Sequence, residues 1–239
     1  MTTHLQGKNV LVVGASSGIG LELATQLHRS GAWVYTVSRT ANSQLAAVSA
    51  HHQTADITQP LALTGLPDVL HGLVYCPGSI NLKPFHRLTE TDFKADFEVN
   101  VMGAVRTLQA AYPLLKRSNS AGVVLFSTVA ATMGMSYHAG IATAKGAIEG
   151  LAKSLAAEWA ANQIRVNVIA PSLTDTPLAT QLLATPEKRE ASAKRHPLGR
   201  IGNAADMANA AIFLLSPQSG WITGQILHID GGMSSVKML

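Results

Sequence analysis

Short apolar runs alternate with longer amphipathic stretches along the whole chain. The runs Asn9–Val13, Trp33–Ser38, Gln53–Ala55, Gly72–Cys76, Gly122–Ser127, Arg165–Ile169 and Gln225–Ile229 are β-branched and almost continuously apolar. Strands with one solvated face alternate polar and apolar positions, whereas strands covered on both faces do not, so these runs predict a parallel sheet with helices on both sides. The stretches between them carry helical periodicity. Gly18–Ser30 predicts a helix closed by Gly31. In Thr89–Lys116, Phe93, Phe97, Val101, Val105, Leu108, Tyr112 and Leu115 recur at spacings of three and four, behind a Thr89/Asp92 capping pair. Ala139–Ala160 and Ala204–Leu215 complete the set. The segment between Asp56 and Gly72 holds Pro60 and Pro67 and leaves room for one or two helical turns at most. Strand and helix in alternation predict a single α/β domain over residues 1–239, a Rossmann-type doubly wound sheet of about seven strands. Its ligand is expected beyond the carboxyl ends of the strands.

Composition fits this picture. In 239 residues, 47% are hydrophobic and 13% charged, enough apolar surface for a large core and too little charge for disorder. The net charge of +4 is mild. Its densest stretch, Lys188 to Arg200, follows Glu187, contains Glu190 and has no aromatic residue, so it reads as a solvated segment and not as a nucleic-acid site. A lone cysteine, Cys76, excludes an intrachain disulfide. No apolar stretch approaches the roughly 18 residues of a membrane span, and the N-terminus lacks a signal-peptide layout. A soluble cytoplasmic protein is expected, with no metal, no membrane and no nucleic acid among its partners.

The first strong chemical signal is Gly14-Ala-Ser-Ser-Gly18-Ile-Gly20, set between a predicted strand and a predicted helix. Glycine at these spacings permits a tight turn, a close backbone approach to a pyrophosphate and close helix–strand packing. The helix N-terminus then turns free N–H groups and a positive dipole end toward the phosphates. The second strand ends Ser38-Arg39, with no Asp or Glu to bind a free ribose 2′-hydroxyl. Arg39 could instead pair with a 2′-phosphate, which favours NADP(H) over NAD(H).

With these residues the chain resembles the short-chain dehydrogenase/reductase (SDR) family, and most closely its ketoacyl-reductase-like branch. The resemblance runs from Lys8 to Gly232. It rests on the glycine motif, on Asn100 within Glu98-Val-Asn-Val-Met-Gly103, on Lys145 and on Arg165-Val-Asn-Val-Ile-Ala-Pro171 followed by Thr176. The C-terminal signatures, Arg200-Ile-Gly and Ile222-Thr-Gly…Asp230-Gly-Gly232, add to it. It implies cofactor contacts from Gly14, Ser16, Ser17, Gly18, Ile19, Gly20, Ser38, Arg39, Asp56, Ile57, Gly78, Asn100, Lys145, Pro171 and Thr176, with Asp56 near the adenine. It also implies a homotetramer, or less often a homodimer.

Three positions depart from the family pattern. Tyr75-Cys-Pro-Gly78 replaces the usual Asn-Asn-Ala-Gly, and Ser172 replaces the Gly that commonly follows Pro171. The third bears on the chemistry. The family's catalytic pair is Tyr-x-x-x-Lys, and four residues before Lys145 stands Ile141. The family's catalytic serine maps to Thr128, with Ser127 beside it. A tyrosine in that place exchanges a proton with the substrate oxygen, a contribution of roughly 10²–10⁴-fold, and Ile141 has no proton to give. If the helix extends backward, Tyr137, Ile141 and Lys145 form one row, with His138 on the same face. Histidine titrates near neutrality, which ranks His138 above Tyr137 as a replacement donor. Thr128, Ser127 or a water could also relay the proton.

Two functions follow. One is an NADP-dependent oxidoreductase acting on a small carbonyl or alcohol with a non-standard proton donor. The other is a catalytically inactive dinucleotide-binding sensor or partner protein. Residues 172–200 are expected to form a substrate lid, its inner side made apolar by Leu173, Leu178, Leu182 and Leu183, so the substrate should have an apolar portion.

Overall fold

The computed structural model describes residues 4–237. Seven strands form one parallel sheet: β1 (Asn9–Val13), β2 (Trp33–Ser38), β3 (His51–Thr54), β4 (Gly72–Tyr75), β5 (Ala121–Phe126), β6 (Ile164–Pro171) and β7 (Ile226–Ile229). Their order is β3-β2-β1-β4-β5-β6-β7. The order reverses between β1 and β4, which opens a crevice at their carboxyl ends.

Helices cover both faces: α1 (Gly18–Arg29), α2 (Ser43–Val48), α3 (Glu90–Phe97), α4 (Gly103–Lys116), α5 (Ala139–Trp159), α6 (Pro186–Ala193) and α7 (Ala204–Leu215). Neighbouring residues of one strand point to opposite cores. Val10 and Val12 of β1 pack with Leu23, Leu27 and Leu214 of α1 and α7. Leu11 and Val13 pack with Leu108, Leu115 and Ile148 of α4 and α5. Each such fully buried side chain contributes about 1.5–3 kcal/mol, which explains the unbroken apolarity of the runs.

The structure departs from the sequence-based expectations at several points. The third strand begins two residues earlier than expected, at His51, and ends one earlier, at Thr54, shortly before the turn at Ile57–Thr58. The segment up to Gly72 forms no helix, its prolines leaving extended backbone. The expected helix Thr89–Lys116 is interrupted by a five-residue π-helical turn, Glu98–Met102, which carries Asn100. The Thr89/Asp92 capping box forms as expected. The short helix α2 was not signalled by the apolar pattern. Its start is fixed by Asn42, whose Oδ1 accepts the Leu45 amide while its Nδ2 donates to the Ser16 carbonyl at 2.7 Å. Residues 172–200 contain a 3₁₀ segment, Pro177–Leu183, and then α6, folded over the carboxyl ends of β5 and β6.

Candidate active site

Two clefts meet at the carboxyl edge of the sheet. The first, about 540 Å³, is lined by Gly14, Ser16, Ser17, Gly18, Ile19 and Gly20, by Ser38 and Arg39 after β2, by Asp56 and Ile57 after β3, and by Gly78 and Thr176. The local geometry follows from the glycines. Gly14 adopts φ +81°, and a Cβ there would lie 2.9 Å from the Pro77 ring. A Cβ on Gly20 would meet the Gly14 carbonyl at 2.3 Å, so only glycine lets α1 start this close to the turn.

This cradle has the donor set for a pyrophosphate. Ser17, the N-cap of α1, makes no side-chain cap, and no acidic residue stands in the first turn. By contrast, α2, α3, α6 and α7 each have their first amides satisfied by an Asn or Thr side chain. The leading amides of α1 are therefore left for an anion, on the positive end of a twelve-residue helix. At the far end of the cleft Asp56 Oδ1 accepts the Thr58 amide and hydroxyl, which holds its carboxyl below the usual range, with Arg39 nearby adding to the effect. The Ser38 hydroxyl is turned away and donates to the Thr40 carbonyl, leaving Arg39 as the exposed polar group at the end of β2.

The second cleft, about 610 Å³, shares Ile19, Cys76, Gly78 and Thr176 with the first. Its floor holds Lys145 from α5, beside Phe126, Ser127 and Thr128 after β5 and Pro171 and Ser172 after β6. Lys145 is 7% exposed, and its Nζ donates to the Phe126 carbonyl at 2.8 Å. Burial pushes its pKa down to about 8, with Cys76 and Asp96 pulling weakly the other way. Cys76 is itself pushed up to about 12 by burial, so it stands in the wall as a neutral thiol.

Asn100 lies behind this floor, fully buried. Its Nδ2 donates to the Asp96 carbonyl at 2.7 Å and to the Ser79 hydroxyl at 2.9 Å, while its Oδ1 has no partner. A Cβ built on Gly78 would lie 3.5 Å from that oxygen and 3.6 Å from Lys145 Nζ. The bare backbone at Gly78 therefore keeps open the space between the two groups, where a water or hydroxyl could join them. The π-helical turn produces this placement by aiming the amide inward. The sequence reading missed Ser79 and Asp96. Asp96 has its carboxyl raised by burial despite the 2.6 Å hydrogen bond that it accepts from Ser79. An Asp four residues before the Asn was the available signal.

The candidate proton donors separate clearly. The expected row of Tyr137, Ile141 and Lys145 does not form, because α5 begins only at Ala139. Tyr137 sits at φ +70° in the preceding turn, 59% exposed, and is not on the cleft wall. His138 is the N-cap of α5 and does line the cleft. Its Nδ1 is 2.7 Å from the Ser136 carbonyl, which leaves Nε2 free. Ser127 is a poor relay here, since its hydroxyl donates to Glu149 Oε1 at 2.6 Å, away from the floor. Thr128 Oγ1 accepts the Ala130 amide at a long 3.3 Å and keeps its proton available. Ile141 fills the wall between them, 6% exposed. Of the four leucines expected on the inner side of residues 172–200, Leu173, Leu178 and Leu182 line the cleft, whereas Leu183 is buried and does not. No cluster with metal-ligating composition occurs among the described residues. No helix among them is long and apolar enough to cross a membrane.

Comparison with known proteins agrees with this architecture. Residues 14–234 match a family profile described as enoyl-(acyl carrier protein) reductase. A tropinone reductase homolog of Arabidopsis thaliana is 32% identical over 96% of this chain and 94% of its own length. An aldohexose dehydrogenase of Thermoplasma acidophilum superposes with a TM-score of 0.89 at 27% identity, covering 100% of this chain and 98% of the other. An Agrobacterium tumefaciens protein solved with bound NADP superposes at 0.88 and 30% identity, covering 98% and 99%. The parallel sheet, the glycine cradle after β1 and the profile match across nearly the whole chain carry one conclusion: the protein belongs to the short-chain dehydrogenase/reductase family.

Proposed function

We propose that the protein is an NADP-dependent oxidoreductase that transfers a hydride between the nicotinamide and a small carbonyl or alcohol, with His138 in the proton role of the family tyrosine. The observation that carries this reading is the junction of the clefts. A dinucleotide laid along the α1 amides would run past Gly78 and Thr176 into the chamber that holds Lys145, Thr128 and His138. The Agrobacterium relative with bound NADP supports the choice of cofactor, as does the absence of an acid at the end of β2.

When bound, the nicotinamide supplies or accepts the hydride. The residues of the chain do the rest. The uncapped α1 amides and Arg39 hold the phosphates, and Lys145 holds the ribose hydroxyls. The Thr128 hydroxyl hydrogen-bonds the substrate oxygen. The Ser136 carbonyl accepts the Nδ1 proton of His138, which leaves Nε2 of the protonated ring the task of giving its proton to that oxygen. The neutral Nδ1–H tautomer remains after the transfer. Leu173, Leu178 and Leu182 of the lid exclude water and take the apolar portion of the substrate. A homotetramer or homodimer is part of the same reading, and the fully exposed Trp221 and half-exposed Phe97 are apolar groups that such contacts would cover.

The test is oxidation of NADPH by a panel of ketones and aldehydes. Turnover that falls by about 10²–10⁴-fold in His138→Ala supports the reading. Turnover untouched by that change removes His138 from it. Ile141 favours the second reading, a sensor that binds the dinucleotide without turning it over. NADPH binding with no turnover across the panel, and activity created by Ile141→Tyr, would establish that one instead.

A further inference from the structure

The lid carries more positive charge than it neutralises, and the surplus faces the cleft. Around α6 stand Lys188, Arg189, Lys194 and Arg195. Arg189 pairs with Asp175 at 2.6 Å, and Lys194 pairs with Glu190 at 2.6 Å. Glu187, in the first turn of α6, has its carboxyl held below the usual range by the Thr185 hydroxyl and its own amide, and it does not line the cleft. The three acids of the lid are thereby engaged away from the chamber. Lys188 reaches only the Gln181 carbonyl at 3.4 Å, and Arg195 only the Ser192 hydroxyl at 3.0 Å. These two cations line the cleft, together with Ala191 and Ser192 on the same face of the helix. Among the described residues no Asp or Glu lines that cleft.

We infer that the substrate carries a carboxylate, held at the lid by Lys188 and Arg195, on an otherwise apolar frame that lies along Leu173, Leu182, Met135 and Ile141. Two unpaired cations at the mouth of a chamber with apolar walls give a positive field that low-dielectric surroundings concentrate. The arginine fork matches a carboxylate in two contacts, and the lysine adds a point charge. A substrate ammonium would meet like charge on the lid and no counterion in the wall. The inference names the substrate class of the oxidoreductase reading and rests on it for the chemistry, though the binding it predicts can be measured without turnover.

The experiment titrates the protein, with and without NADPH, by calorimetry with phenylbutanoate, its methyl ester and phenylbutylamine. The acid should bind about tenfold or more tightly than the ester, and the amine should bind most weakly. Raising the salt from about 0.05 M to about 0.5 M should shrink the preference for the acid several-fold. The pair Lys188→Glu and Arg195→Glu should remove that preference while ester affinity and the unfolding temperature stay as in the parent, since both side chains are exposed. Equal binding of acid and ester overturns the inference. So does a preference that survives the double reversal, or failure of both probes to bind at millimolar concentration. A protein that binds the acid but reduces no keto acid keeps the subsite and loses the oxidoreductase reading. Equal reduction of a keto acid and its ester does the opposite.

Discussion

Replacing Lys145 by methionine should make the cofactor-free protein more stable at neutral pH. The ammonium is almost fully buried, with one hydrogen bond to the Phe126 carbonyl, and burial lowers its pKa from 10.5 to about 8. A lysine whose folded pKa lies below its unfolded value opposes folding while charged, because the unfolded chain holds the proton more tightly. The penalty is complete below about pH 8, shrinks as the pH rises toward 10.5, and is absent above that. At about 1.4 kcal/mol per pH unit it amounts to about 3 kcal/mol near neutrality and about 2 kcal/mol near pH 9. Methionine keeps an apolar stem but leaves the Phe126 carbonyl without its donor, a pH-independent loss of about 1 kcal/mol. The variant should therefore be more stable by about 2 kcal/mol near pH 7, and slightly less stable once the parent lysine is neutral in both states. Cys76 acts in the opposite sense, since a thiol pushed up to about 12 costs stability as the pH rises past 9. Making both proteins in a Cys76→Ala background removes that contribution. Urea unfolding of the pair between about pH 7 and about pH 10 at constant ionic strength measures the difference. A difference that does not change with pH, or a variant that is the weaker protein at pH 7, would refute the assignment of Lys145 as a desolvated charge.

Three further outcomes are expected. Gly20→Ala places a Cβ 2.3 Å from the Gly14 carbonyl, so it should lower stability by about 1–3 kcal/mol and weaken NADPH binding, read by thermal unfolding and by nicotinamide fluorescence. Parent-like values for both would mean the turn is looser than its geometry indicates. Arg39→Ala should weaken NADPH by about tenfold and leave NADH unchanged, and an equal loss for the two would place Arg39 outside the 2′-phosphate contact. Tyr137→Phe should leave turnover within about twofold of the parent, because the ring lies outside the chamber, and a large loss would restore it as the donor.

The sheet and the cradle were legible because they depend on local rules. A strand covered on both faces has to be apolar at successive positions, and the glycines of residues 14–20 answer to constraints within one turn of chain. The boundaries of β1 and β2 were read without error. Those of β3 were not, since His51-His-Gln-Thr54 is half-buried at the edge of the sheet and carries no apolar signature. The π-helical turn was equally hidden. Asn100 keeps its helical spacing from Phe93 in the sequence, and nothing local shows that the ladder there opens by one residue.

The position of the proposed proton donor was illegible for a different reason. A row of side chains at i, i+4 and i+8 exists only if the helix includes all three, and the start of α5 is not set by helix propensity. Tyr137 takes a left-handed backbone and its carbonyl accepts the amide of Lys83, a contact across a long stretch of sequence. With that backbone the helix begins only at Ala139, His138 is its N-cap, and Tyr137 is left exposed in the turn. An N-cap residue has no obligation to the helical ladder through its side chain, so the His138 ring is free to orient by its own hydrogen bond to Ser136. On the proposed reading, then, the ionisable group that shares the chamber with Lys145 hangs from a turn and not from the helix that carries the lysine. The 132–138 turn would set its reach toward a substrate oxygen, and the start of that turn is fastened by Thr132 to His228 of β7. Loosening that fastening with Thr132→Val should lower turnover more than it lowers NADPH affinity. Equal losses would mean that the turn does not position the donor.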